Sequence, residues 1–301
     1  MAVLTRYDTT AGAKEDVLDI ISELTPEETQ LLSRLGVSTA QSAFHNWITN
    51  TVESATATGG ATPEGSTATS RQLADRTRIL NYTQITTETI EVSGTQESSS
   101  MYGVESEYAK RLEDGMKRWK IMVDRILWTS TSASGSGETA ARSLTGVIDA
   151  IRTNRVTGSA KSCALTETAF NDLLQTVAET GGGICDTAFA RGFNKRRISQ
   201  FATSNTRYSE VGSEGRVRNV VSIYESDFGT IEIVFERYIT PNEVAVMKMS
   251  DWKIAYLRKP FVKPLSDIGD SKRAMIIGEY TLEYLAQQHS GLLSAFASAA
   301  S

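Results

Sequence analysis

Catalysis and metal binding need particular side chains at particular spacings, and this chain of 301 residues carries few of them. Histidine occurs only at His45, beside Phe44 and Trp47, and at His289, in a polar context near the C-terminal end. A Ser-His-Asp triad would have to use one of the two, and neither sits near a G-x-S-x-G nucleophile turn. Cys163 and Cys185 could join them in a zinc site by number but not by spacing. The two cysteines fit no paired motif and read as inert thiols of a reducing compartment rather than as a disulfide. Gly181-Gly182-Gly183 lacks the Gly-Lys-Ser/Thr that completes a phosphate loop, so it reads as a helix stop. Lys195-Arg196-Arg197 could meet a phosphate or a neighbouring subunit, but a solvated helix face is the plainer reading. Gly269-Asp270-Ser271 reads as a turn whose acid has no catalytic partner. Glu27-Glu28 belongs to a helix start, Thr25-Pro26-Glu27-Glu28, with a capping Thr, Pro in the first turn and Glu three after the cap. The expectation is no enzyme, no cofactor and no metal.

Composition narrows the classes further. Apolar residues make up 40 % of the chain and charged ones 22 %, enough for a packed core in one large domain or two joined ones. A net charge of −5 argues against gripping nucleic acid through a basic surface. No apolar run approaches the roughly 20 residues of a membrane-spanning helix. The first residues have no secretion-type apolar core, and no repeat of solenoid or propeller period occurs.

One stretch dominates the pattern. In Met101–Thr129, Val104, Tyr108, Leu112, Met116, Trp119, Val123 and Ile126 recur at helical spacing. Glu107 with Arg111, Glu113 with Lys117 and Asp114 with Arg118 are acid-then-base pairs four apart. Ser98, Ser99 and Ser100 offer N-caps, and the helix would be roughly 40 Å long. Before it, residues 1–13 read as an arm and Asp16–Leu24 as a short helix. A further helix from Thr25 should stop at Gly36, followed by an extended Phe44, Trp47 and Ile48. Residues 51–78 are rich in Thr, Ala, Gly and Ser and can bury little. A loop of that length is usually functional or disordered. Flanked by Ile79–Val92, which reads as strand, it suggests a protruding two-stranded arm that pairs with another molecule. After the long helix, helices are expected at Thr166–Glu179 and Phe193–Phe201. An antiparallel meander should follow through Val220–Tyr224, Ile231–Tyr238, Val244–Met249 and Trp252–Leu257. Met275–Leu285 reads as a last strand. The class is α+β.

This order of elements resembles the major capsid proteins of tailed bacteriophages, the Hong Kong 97 type of fold. The residues that carry the likeness are Thr25-Pro26-Glu27-Glu28-Thr29, Phe44 and Trp47. Later ones are Val221 and Tyr224 before Asp227-Phe228-Gly229, Tyr256-Leu257-Arg258, Gly269-Asp270-Ser271, and Glu279 with Thr281-Leu282-Glu283. Gln30 and Asn50 depart from the pattern, where the family often has Pro and Asp. The resemblance implies an N-terminal arm at 1–50 and an extended loop with its strands at 51–92. It implies a peripheral domain with the spine helix at 93–139 and 256–301, and an axial domain at 140–255. It implies self-assembly, through pentamers and hexamers, into an icosahedral shell around double-stranded DNA held without sequence-specific binding. Scaffolding, portal and cementing proteins would be partners, and the place would be the virion, after assembly in host cytoplasm. Assembly contacts are expected at Trp47, Gly59, Gly60, Arg71 and Arg76, with Trp119 in the core. An encapsulin-like compartment shell or another virion structural protein is the alternative. No long prosegment precedes the arm, so any scaffold is expected to be separate or already removed.

Some relatives weld their shells with isopeptide bonds from a lysine in the extended loop. Between Lys14 and Lys110 this chain has no lysine. Mature shells are therefore expected to run as a single band near the 32.8 kDa chain mass on denaturing gels; a covalent ladder would refute this.

Overall fold

The computed structural model describes residues 29–50, 64–67, 76–99, 104–135, 140–158, 165–205 and 223–294. The chain begins with α1 (Gln30–Arg34), β1 (Gly36–Thr39), β2 (Phe44–Thr49), β3 (Thr77–Tyr82) and β4 (Gln84–Ser93). The helices α2 (Gly94–Ser98), α3 (Glu107–Thr129) and α4 (Val147–Ala150) follow, then β5 (Arg155–Thr157) and α5 (Glu167–Thr176). The second half holds β6 (Thr187–Ala190), α6 (Gly192–Asn205), β7 (Ile223–Ser226), β8 (Gly229–Phe235) and β9 (Val244–Met247). It ends with β10 (Trp252–Pro264), β11 (Ser271–Tyr284) and β12 (Gly291–Ser294).

Three sheets organise these elements: β1-β10-β11-β4, β5-β12-β9-β6-β8-β7, and the ribbon β2-β3. The central strands β6 and β9 of the second sheet are buried along their whole length, as strands covered on both faces are. Phe189, Ala245, Met247 and Leu292 point into one core with α3 and the first sheet. Ala188, Val244, Val246 and Leu293 point into a second core under α5 and α6. The strand period of two therefore serves both cores at once.

The long helix is present but starts at Glu107, not Met101. Ser106 caps it by accepting the Ala109 N–H at 3.2 Å, and Glu97 of α2 accepts the Tyr108 N–H at 2.9 Å. These two oxygens satisfy N–H groups that a helix start leaves open. Its buried residues are Gly115, Trp119, Val123, Asp124, Leu127 and Trp128, whereas Met116 is 41 % exposed. A side chain on Gly115 would run into Ile90 of β4, so the bare backbone lets the helix lie against the sheet. The Glu107–Arg111 and Glu113–Lys117 pairs form. Asp114 instead meets Lys110, and Arg118 reaches across to Glu88 of β4.

The expected meander is only partly there. β7 and β8 form its hairpin, but β9 pairs with β6 and β12, not with β8. A strand buried on both faces belongs at a sheet centre, so β6 lies between β8 and β9. Trp252–Pro264 leaves for the other sheet, pairing with β11 and in parallel with β1. The last strand is not Met275–Leu285 but Gly291–Ser294, which joins the six-stranded sheet. Relative to the expected lobes, Trp252–Ala255 thus lie in the four-stranded sheet and Gly291–Ser294 in the six-stranded one. Ile79–Val92 is two strands, β3 and β4, divided at Thr83.

Candidate assembly surfaces

The two histidines and Cys185 each have a polar partner within the fold. His289 Nδ1 lies 2.6 Å from Asp251, and His45 Nε2 lies 3.3 Å from Glu283. Burial pushes the Cys185 thiol up to about 12, and its Sγ faces the His289 carbonyl oxygen at 3.4 Å. Cys163 lies outside the described residues. Among the described residues no group of three or more His, Cys, Asp and Glu could hold a metal ion. Gly181-Gly182-Gly183 does end a helix: α5 closes with a π-turn at Val177–Gly181, and Gly182 takes φ +68°. Side chains at Gly181 and Gly183 would collide with Gln288 and His289. Of the basic triplet, Lys195 is not a free surface charge; its Nζ donates to the Ile233 carbonyl at 3.0 Å. Gly269 turns β10 into β11 with φ +74°.

The β2–β3 ribbon has one buried and one exposed face. β2 and β3 pair in antiparallel register from Phe44↔Tyr82 to Thr49↔Thr77. They flank residues 50–76, most of which lie outside the described residues. Alternation gives the ribbon two faces. The inner face carries His45, Trp47, Ile79 and Asn81. Trp47 packs edge-on against Tyr284, with ring centroids 5.0 Å apart. Asn81 is fully buried and pins the ribbon. Its amide donates to the Leu282 carbonyl at 2.7 Å, and its oxygen accepts the Thr145 N–H at 2.8 Å. The outer face carries Phe44, Ile48 and Leu80, exposed by 50 %, 67 % and 41 %. Tyr82 packs beside Phe44 at 5.7 Å.

The foot of the ribbon is tied by a buried carboxylate. Glu279, 4 % exposed, accepts from Thr83 at 2.8 Å, Arg142 at 3.0 Å and Arg258 at 2.9 Å. Beside it Phe44, Ile85, Gly135 and Arg142 line a groove of about 520 Å³. Of the residues expected to make contacts, Trp47 is turned inward. Arg76 is exposed just before β3, and Gly59, Gly60 and Arg71 lie outside the described residues. Sequence reasoning missed Asn81, and named Glu279 only as part of the family pattern, with no structural role. An Asn within the β-branched run ILNYT was the available signal for the first.

Solved structures of similar fold include a phage capsid and an encapsulin. The chain superposes on the capsid of cyanophage A-1(L) with TM-score 0.70 and 12 % identity, covering 97 % of this chain and 99 % of that one. Mycobacterium phage Cain gives TM-score 0.64 and 14 % identity, over 97 % and 98 % of the two chains. An encapsulin from Synechococcus elongatus also matches, with TM-score 0.60 and 11 % identity over 99 % and 97 %. No curated protein matches the sequence. Likeness at these identities shows the fold; the family comes from the SU10 major capsid protein model, which matches residues 3–297. The chain belongs to the SU10 major capsid protein family.

Proposed function

We propose that this bacteriophage capsid subunit builds its shell chiefly through the outer face of the β2–β3 ribbon. The observation that carries this is a strip of apolar side chains, Phe44, Ile48 and Leu80, left in water on a ribbon whose other face is pinned to the core. Contiguous exposed apolar surface of this kind marks a protein interface. In a shell of identical chains, the occupant is a second copy. In this reading Trp47 does not touch the neighbour but holds the ribbon at a fixed angle through Tyr284. Residues 50–76, with Gly59, Gly60, Arg71 and Arg76, extend the contact onto that neighbour. Subunits then join as pentamers and hexamers. The lobes follow the sheets: the four-stranded sheet with α3 is peripheral, and the six-stranded sheet with α5 and α6 is axial. Scaffolding, portal and cementing proteins are further partners of the finished particle, and the packaged DNA is enclosed without sequence recognition.

The test is Phe44→Ser combined with Ile48→Ser. The variant should keep the wild-type melting profile, because both side chains are exposed, yet sediment as free subunits where wild type yields shells by electron microscopy. Normal shells from the double variant would place the principal contact elsewhere.

A further inference from the structure

The short helix α1 closes over two buried acids. Its side chains Leu31 and Leu35 are buried in the core shared with α3. Its backbone meets carboxylates. The Leu32 N–H donates to Asp124 of α3 at 2.8 Å, and the Leu31 N–H faces Glu236, just after β8. Both acids are fully buried, and each keeps one oxygen without a hydrogen-bond partner. An ionised carboxylate is costly to bury unless it is paired and fully hydrogen-bonded, and two at one seat repel.

The charged groups around this seat come from three elements. From α1 comes Arg34, whose guanidinium makes a two-pronged ion pair with Glu232 of β8, both bonds at 2.7 Å. From α3 come Asp124 itself and Arg125, which is exposed. After β8 come Glu236, the exposed Arg237, and Tyr238, whose N–H donates to Glu236 at 3.0 Å. Of these charges, Glu236 is the one that bears on Asp124. Burial first, and Glu236 second, hold the Asp124 carboxyl well above its usual range, against the opposing pull of the Leu32 N–H.

Little else fastens α1. It is five residues long. The side chains of its Arg34–Glu232 pair are 32 % and 48 % exposed, so that pair holds weakly. From Gly36 onward the chain is fixed, because β1 pairs with β10. Short segments with few contacts open locally while the core stays closed.

We infer that α1 is a proton-controlled latch: it lies shut while Asp124 is protonated, and ionisation of Asp124 favours its swinging off the core about Leu35, with both sheets intact. The sign follows from linkage. The shut state keeps Asp124 protonated up to about pH 7, whereas an aspartate in water ionises near pH 4. The shut state is therefore fully favoured below about pH 4, loses ground as pH rises, and loses no more above about pH 7.

Hydrogen exchange of the full-length unassembled subunit tests this, read by mass spectrometry over residues 29–35 and divided by the intrinsic rate at each pH. Opening of α1 should rise several-fold per pH unit from pH 5 to about pH 7 and then level off; about tenfold per unit is the limit for one proton. Asp124→Asn has no proton to lose and should keep α1 equally protected throughout. Glu236→Gln removes only the second cause and should bring the levelling to lower pH. Strands β6 and β9 should stay protected in all three proteins. Wild-type opening of α1 that does not change with pH, an equal slope in Asp124→Asn, or β6 and β9 opening in step with α1 would overturn the inference.

Discussion

Asp124→Asn should stabilise the subunit, and by more at pH 8 than at pH 5. Asp124 is fully buried on α3. One of its oxygens accepts the Leu32 N–H at 2.8 Å, and the other has no partner. Burial, reinforced by the negative field of Glu236, raises its pKa from 3.8 to about 7. Burial raises Glu236 too, and that carboxylate also holds one unpartnered oxygen. The nearby Trp128 indole N–H favours its charged form without making a hydrogen bond of ordinary geometry. A proton held on Asp124 relieves this. The native state therefore binds a proton that the unfolded chain releases near pH 4. That stability is fully present below the unfolded pKa and is lost as pH rises through about 7. The shift corresponds to roughly 4 kcal/mol across that window, an upper figure. Asn keeps the acceptor for Leu32, needs no proton and adds no charge beside Glu236. The melting temperature of the variant minus that of wild type should grow as pH rises from 5 and level off above about pH 7. A difference that stays flat with pH would mean that Asp124 is not protonated in the folded state.

Trp128→Ala should cost about 3–5 kcal/mol, the range for deleting a large aromatic from a close-packed core. Trp128 is fully buried and meets Phe189 of β6 edge-on at 5.2 Å. It is the place where the long helix grips the six-stranded sheet, so the cavity would open between two layers. The control is Met116→Ala on the same helix. Met116 falls on the helical period of the apolar residues, but it is 41 % exposed, and its removal should change stability by no more than about 0.5 kcal/mol. Chemical denaturation of unassembled subunits would measure both. Equal losses from the two substitutions would mean that the helix presents a different face from the one described.

The contrast between these two residues marks how far a sequence reaches. Helical spacing shows that Trp119 and Val123 share a face, because the α-helix turns every 3.6 residues whatever surrounds it. It does not show how far the stripe rotates at the ends. Gly115 and Asp124 lie inside because the sheet approaches the bare backbone at one and Leu32 donates to the other. No periodicity of apolar residues would put an aspartate there.

Local rules determined the existence and type of most elements: the long helix, the stop at Gly181-Gly182-Gly183, the β7–β8 hairpin, and paired strands flanking a long Thr- and Gly-rich stretch. These depend on contacts between near neighbours in the chain. The shortage of histidine and the lack of metal or nucleophile spacings likewise turned the functional reading from chemistry to assembly. Tertiary structure alone decided the pairing of β1 with β10, the placing of β9 between β6 and β12, and the return of β12 to the six-stranded sheet. It also decided that Trp47 faces inward while Phe44 and Ile48 face water. Partners in a sheet are chosen by burial against layers supplied from distant parts of the chain. A one-residue change of register exchanges the two faces of a strand, and only packing against Tyr284 and Leu282 selects between them.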